Sequence, residues 1–179
     1  MERKFLPVSI ALLTVSDTRV IENDKSGNLL VNKIKQSGHI LFDRKIVKDE
    51  ALDIQKASKK WIKNSNVEVI ISTGGTGLTG RDVSPEAFRP IFDKEIEGFG
   101  ELFRFLSFNK IGTSTIQSRA LAGVSNGTYI FILPGSPSAC KDAWDEILVN
   151  QLDYRHKPCN FVEIMPRLLE KGIGRTGKS

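Results

Sequence analysis

Hydrophobic and polar positions alternate in blocks along this chain, and the blocks change period. Val8 to Val15 is an almost unbroken apolar run rich in leucine and β-branched residues, which predicts a strand buried on both faces. Ser16-Asp17-Thr18 ends it in a polar loop. A helix is expected from near Ser26 to Ser37, with Gly38 as its stop. Ile40 to Val47 reads as a second strand, followed directly by Asp49 and then by a helix. Ile54, Ala57, Ser58, Trp61 and Ile62 fall on one face of that helix at i, i+3, i+4, i+7 and i+8. Val67 to Ile71 predicts a third strand that feeds Thr73-Gly74-Gly75-Thr76-Gly77. Ser84 has the look of an N-cap, with Pro85 at the first helical position and Glu86 at the positive helix end. A further helix is expected over Phe99–Phe108. Ala120–Val124 and Thr128–Leu133 flank Asn126-Gly127, a strong hairpin signal. Ser136-Pro137 opens a last helix with Cys140, Ala143, Trp144, Ile147 and Leu148 on its inner face.

Strands that alternate with helices predict an α/β protein, doubly wound, with a mostly parallel sheet covered on both faces and an antiparallel hairpin added to it. No internal repeat and no linker interrupts the pattern before about residue 155, so one domain is expected over 1–155. Residues 156–179 read as a C-terminal extension, with a helical turn over Met165–Lys171 and a disordered end from Gly172 to Ser179.

Charge changes this picture little. The formal charge is +5, from 26 Lys and Arg against 21 Asp and Glu. Residues 155–179 hold six of the basic side chains and only two acidic ones, so the body is nearly neutral. A phosphate-backbone groove needs clustered positive charge on the folded surface, and no nucleic-acid partner is expected. Cys140 and Cys159 lack disulfide-framework or metal-ligand spacing and read as buried or inert thiols of a cytoplasmic protein. The basic start and apolar run to Val15 resemble a signal peptide, but no small-residue cleavage site follows and Pro7 and Ser9 interrupt the run. No stretch reaches transmembrane length, so no membrane partner is expected.

In open α/β sheets ligands bind outside the carboxyl ends of strands. Four polar segments are expected there: Ser16-Asp17, Asp49, Thr73 to Asp82, and Gly135-Ser136. The Gly74–Gly77 loop lets backbone N–H groups approach an anion closely. Ser136 opens a helix whose N-terminus can receive phosphate. Asp17, Asp49 and Asp82 supply the hard oxygen ligands that Mg²⁺ prefers, so phosphates and carboxylates at one sheet edge suggest metal-assisted nucleotide chemistry. Each residue also has a structural reading: Asp49 as a helix cap, Asp82 as a loop brace, Ser136 as a simple N-cap, and His39 as a structural residue at a strand start. Two motif spellings are set aside. Gly75-x-Gly77-x-x-Gly80 fits a dinucleotide fingerprint but follows the third strand with no immediate helix. Gly172-x-x-x-x-Gly177-Lys178-Ser179 fits a P-loop but has no strand before it and no helix after it.

The run Ser72 to Ala87, with its Thr-Gly-Gly-Thr-Gly and Gly-Arg-Asp-Val-Ser-Pro-Glu, resembles the signature of the MoaB/MogA family. So do Leu12–Thr18, Gly98–Arg104, Ile111–Ala120 and Leu133–Pro137, in order over about residues 8 to 155. The Gly112–Ala120 segment and Lys157–Phe161 are more similar to the MoaB branch. The resemblance implies a three-layer fold that forms trimers, or homohexamers in the MoaB branch. It also implies binding of molybdopterin, and transfer of AMP from Mg-ATP to the molybdopterin phosphate with release of pyrophosphate. Mg²⁺ enters with ATP as substrate, and no tightly bound organic cofactor is expected. On this resemblance Asp49 and Asp82 are the catalytic, metal-facing carboxylates, while Asp17, Gly74, Gly75, Ser118 and Arg119 match substrate or nucleotide positions. Ser16, Thr73, Thr76, Gly77, Gly135 and Ser136 complete the expected binding set. Arg119 is expected to offer its planar fork to phosphate. Phe88, Phe92, Phe99, Phe103 and Phe105 read as core or subunit contact. The chain departs from the family pattern at Ser136-Pro137-Ser138, where active relatives often carry Asn or Gln after Pro-Gly. The competing readings are a non-catalytic molybdopterin-binding protein of the same pathway, and an adaptor whose basic tail docks acidic partners.

Overall fold

A computed structural model describes residues 3–170, so the Gly-Lys-Ser spelling at the C-terminus and the expected disordered end lie outside the described residues. Six strands form one sheet: β1 (Ser9–Val15), β2 (Ile40–Val47), β3 (Val69–Thr73), β4 (Lys94–Glu95), β5 (Leu121–Ser125) and β6 (Thr128–Leu133). Their spatial order is β2-β1-β3-β6-β5-β4. The first four in that order run parallel, while β5 is antiparallel to β6 and β4 to β5. The mixed α/β sheet expected from the sequence is therefore what forms.

The apolar runs are continuous because the central strands are buried on both faces. Ile10 and Leu12 of β1, Val69 and Ile71 of β3, and Phe131 and Leu133 of β6 face one layer. That layer is built from α1 (Lys25–Gln36), α4 (Glu97–Ile111) and the C-terminal helices. Ala11, Leu13, Ile70, Ile130 and Ile132 face the other, which holds α2 (Ala51–Ile62) and α3 (Ser84–Phe88). All five inner-face residues expected on α2 are buried. Trp61 carries its indole N–H to Asp43 on β2 at 3.0 Å.

The helix after β6 opens where expected, with the Ser136 hydroxyl accepting from Ala139 N–H at 3.2 Å. It runs as α5 (Pro137–Asp142), widens into a π-helical segment over Ala143–Leu148, and closes as α6 (Val149–Gln151). The hairpin turn places Asn126 and Gly127 at φ 46° and 80°, both left-handed as a type I′ turn requires. Past residue 155 the chain stays on the same core. Asn160 caps α7 (Phe161–Ile164), and the Phe161 ring packs on Tyr129 and Phe131 with centroids 4.8 and 5.5 Å away.

One local expectation differs from what forms. Ser84 is not the cap of α3. Val83 takes that position, and the buried Ser84 hydroxyl donates to Gly74 O at 2.8 Å instead. Helix α1 starts at Lys25, close to the expected Ser26, and is capped by Asp24. Of the two thiols only Cys140 is buried, its pKa pushed up to about 11 by that burial, while Cys159 is exposed. His39 is structural: it is buried, and its Nδ1 accepts the Val8 N–H at 3.1 Å. Among the described residues no helix is long and apolar enough to cross a membrane.

Candidate functional site

The carboxyl ends of β1, β2, β3 and β6 open onto one crevice of about 310 Å³, at the small end of small-molecule sites. Ser16, Asp49, Thr73, Gly74, Gly75, Asp82 and Gly135 all line it, so the four expected segments converge. Thr14, Arg19, Asp24, Lys25 and Ser26 line it too, and the sequence reading assigned none of these to the site. Asp24 is the one with a local signal. An aspartate just before a helical run is a preferred N-cap, and its side chain accepts from Gly27 N–H at 2.8 Å.

The remaining expected residues stand outside the crevice. Thr76, Gly77, Ser118 and Ser136 line a neighbouring hollow with Phe103 and Ile111, joined to the crevice at Gly135. Asp17 lies beside the crevice, where it accepts the Asp49 N–H at 3.2 Å and pairs with Arg81 at 3.0 Å. Arg119 lies under the 74–82 loop, with its guanidinium against the carbonyls of Thr76, Gly77 and Asp82 and the carboxylate of Glu86.

The glycines are required by close approach. Gly74 and Gly75 hold φ of 100° and 63°. A Cβ on Gly74 would stand 2.2 Å from Val15 O, and one on Gly75 would stand 2.5 Å from Ser84 Oγ and 3.0 Å from Asp49 Oδ1. The loop is thus pinned against β1 and α3 while Asp49 leans over it. Gly77 similarly makes room for Asp82, whose Oδ2 would lie 2.7 Å from an added Cβ.

The three carboxylates of the crevice differ in electrostatics. Burial opposes ionisation of Asp24, but bonds from the Thr14 hydroxyl (2.6 Å), Gly27 N–H and Arg44 (2.9 Å) outweigh it and hold the carboxyl below the ordinary range. Burial likewise opposes ionisation of Asp82, and bonds from the Thr79 hydroxyl and from the Gly77 and Thr79 amides overcome it. Asp49 goes the other way. Burial raises its pKa, and the neighbouring charges of Asp17 and Asp82 add to the rise. Arg81 offsets part of this, but its guanidinium is engaged with Asp17 and Glu50. Asp49 has no ion pair among the described residues.

Among the described residues no cluster of three or more His, Cys, Asp or Glu is arranged to hold a metal. Two converging carboxylates fit Mg²⁺ in the form it usually takes beside nucleotides, where substrate phosphates and water supply the other oxygens.

Fold and crevice together define a doubly wound α/β protein with a small-molecule-sized crevice at the carboxyl edge of its sheet. Residues 11–154 match the family described as "Probable molybdopterin binding domain", and the chain belongs to that family. It is 52% identical over 158 residues to molybdenum cofactor biosynthesis protein B of Escherichia coli, covering 88% of this chain and 93% of the relative. The Bacillus subtilis protein of the same name is 41% identical over 146 residues, covering 81% and 86%. Among solved structures, a molybdenum cofactor biosynthesis protein B superposes with a TM-score of 0.81 at 40% identity, covering 84% of this chain and 94% of the other. The tungsten cofactor synthesizing protein MoaB from Pyrococcus furiosus superposes at 0.72 with 36% identity, covering 79% and 91%. The resemblance to MoaB and MogA proteins drawn from the motifs is borne out by these matches.

Proposed function

We propose that the protein acts in molybdenum cofactor biosynthesis, binding molybdopterin and transferring AMP from Mg-ATP to its terminal phosphate. The observation that carries this reading is the convergence of Asp49 and Asp82, from two different strand ends, on one crevice beside a glycine loop. In the transfer, a molybdopterin phosphate oxygen bonds to the α-phosphorus of ATP as the bond to the β-phosphate bridge breaks, and pyrophosphate leaves. Asp49 and Asp82 would hold Mg²⁺, which when bound supplies charge neutralisation on the nucleotide phosphates. Arg19 and Lys25 add positive charge to the wall that Asp24 and Ser26 share. The raised pKa of Asp49, due first to burial and then to the charges of Asp17 and Asp82 that Arg81 only partly offsets, fits a site whose excess negative charge a metal ion relieves.

The competing reading is a non-catalytic molybdopterin-binding protein. It is favoured by Ser136-Pro137-Ser138, where Ser136 is committed to capping α5 and does not line the crevice. Purified protein given molybdopterin and Mg-ATP separates the two. Adenylylated product is expected. Molybdopterin binding without product, at saturating nucleotide and metal, assigns the chain to the binding role.

The reading extends to a homo-oligomer, with six chains favoured over three, in the cytoplasm. Phe103 of α4 is buried, but Leu102, Phe105, Phe108 and Ile111 stay exposed, as does Ile116 in the turn beyond it. Such a run of apolar surface supports subunit contact. Light scattering at micromolar protein should report three or six chains, and a 19.9 kDa species would overturn the extension.

A further inference from the structure

Arg119 leads into β5 beneath the segment that carries Gly77 and Asp82. Its Nε donates to Gly77 O at 2.9 Å and, more loosely, to Thr76 O at 3.4 Å. Its Nη2 donates to Asp82 O at 2.8 Å, and its Nη1 bonds and ion-pairs with Glu86 of α3. Two of these carbonyls precede the 78–81 turn and one follows it. A single rigid plane therefore spans the entry and the exit of the turn.

Outside Arg119, the turn is tied to the protein by Arg81, which pairs across solvent-exposed side chains with Asp17 at 3.0 Å and Glu50 at 2.9 Å. Leu78 to Arg81 are exposed, and a Cβ added at Gly80 would meet nothing within 4 Å. Inside it, Asp82 N–H donates to Thr79 O, and the Thr79 amide and hydroxyl return to the Asp82 carboxylate. These bonds fix the turn's own shape, and its position on the protein rests on the exposed Arg81 pairs and on the more buried Arg119. A phosphate arriving at Arg119 would have to displace carbonyls at bonding distance and would meet the Glu86 carboxylate.

We infer that Arg119 is a positioning residue, a clamp that fixes the 76–82 segment and so sets where the Asp82 carboxylate stands relative to Asp49, and that it does not bind substrate phosphate. The inference deepens the proposed function, because it matters only if Asp82 acts on the substrate. Its geometry can nevertheless be tested without activity.

The chemistry separates clamp from ligand. A guanidinium offers five N–H groups in a fixed fork, whereas an ammonium is a point charge on a flexible stem. Lysine at 119 keeps the charge that a phosphate would need but cannot span three carbonyls and a carboxylate. Hydrogen–deuterium exchange on the ligand-free protein reads the difference at the bonded amides of Thr79, Asp82 and Ser84. In both Arg119→Ala and Arg119→Lys these should exchange faster by on the order of tenfold, with β3 and β6 unchanged. Glu86→Gln, which weakens only the fourth arm, should give a smaller rise. If Arg119→Ala fails to fold, Arg119→Lys and Glu86→Gln still decide the matter. With active enzyme, Arg119→Lys should lower kcat and leave KM for molybdopterin near the wild-type value. Exchange within about twofold of wild type in the folded variants would overturn the clamp. So would an Arg119→Lys enzyme with normal kcat and a raised KM. Failure of the functional reading would show separately, as a wild type that makes no product while loop exchange still answers to Arg119.

Discussion

The two walls of the crevice treat their acids in opposite ways. On the α1 wall, Asp24 is 2% exposed and receives a hydroxyl, an amide and a guanidinium. Arg44, its partner, also donates to Asn28 at 2.7 Å, so the whole group ties β1, β2 and α1 together. On the β2–β3 wall, Asp49 and Asp82 are half-buried, and Asp49's pKa is raised by burial first and then by the charges of Asp17 and Asp82. Asp82 is satisfied by its own loop, and Asp49 is left without a cation. An acid bonded on every side holds structure in place. An acid kept near others with only partial compensation stores unfavourable charge that a cationic ligand can relieve. The comparison thus places Asp24 in the frame of the site and, on the proposed function, leaves its chemistry to Asp49.

The largest effect expected is on the frame. Asp24→Ala removes the cap of α1 and leaves the Arg44 charge in a nearly closed position, so a loss of about 3–5 kcal/mol is expected. Chemical denaturation should show it as a lowered midpoint with an unchanged slope. The pH dependence has a definite sign. The native pKa of Asp24 is lowered, so its contribution is fully present above the ordinary carboxylate range and is lost as pH falls through the lowered value. An Asp24→Ala protein of wild-type stability would remove the contrast between the walls.

Next comes the chemistry. Asp49→Asn and Asp82→Asn keep shape and remove charge, so turnover should fall by a factor on the order of 10² or more while molybdopterin still binds. Product formation per folded molecule and direct binding, measured on the same preparations, check this together. If Asp82→Asn melts earlier yet turns over at the wild-type rate, Asp82 belongs with Asp24 as a structural acid.

A smaller effect tests one arm of the frame. Thr14→Val removes the hydroxyl that bonds Asp24 at 2.6 Å and little else of its shape. A hydrogen bond to a charged group contributes roughly 1.5–3 kcal/mol, so the loss should be less than that of Asp24→Ala. The acid transition should also move to higher pH, because Asp24 loses one of the bonds that hold its pKa down.

How much of this was readable beforehand follows from the range of the forces involved. β1, β3 and the hairpin were legible because burial on both faces writes a continuous apolar run, and because Asn126-Gly127 encodes its own turn, whereas the partly exposed edge strand β2 showed only its apolar ends around Asp43-Arg44-Lys45. The convergence of the strand-end loops was legible because topology dictates it. β4 was not: Lys94 and Glu95 carry no apolar pattern and join the sheet through backbone bonds from Asp93 and Ile96 to Val124 and Ala122. The π-helical stretch was hidden because Ala143, Trp144, Ile147 and Leu148 keep an ordinary helical spacing. Ser84 misled because Ser-Pro-Glu spells a cap, whereas its hydroxyl answers to Gly74, ten residues back. Arg119 shows the same gap between residue type and surroundings. Its residue type suits phosphate, and only the path of a loop some 40 residues earlier shows the fork to be filled.

The finest test of the comparison is a stability gain in a variant that loses function. The native pKa of Asp49 is raised, so ionising it costs more in the folded protein than in the unfolded chain. At pH well above the raised pKa the wild type carries this penalty in full. As pH falls through that value Asp49 takes up a proton, and below the ordinary carboxylate range both states are neutral and the penalty is gone. Asp49→Asn removes it at every pH. The variant should therefore be more stable than wild type at neutral pH, by less than about 1 kcal/mol because solvent screens a half-exposed group. The advantage should vanish in acid. Asp24 gives the opposite sign, since any neutral replacement there destabilises at neutral pH. Thermal melts of wild type and Asp49→Asn across the acid range, without ligand, check the crossover. A gain of stability at neutral pH alongside lost turnover is what a site held in unfavourable charge should show. A variant less stable than wild type at neutral pH would mean that Asp49 braces its loop, and the two walls would then be alike.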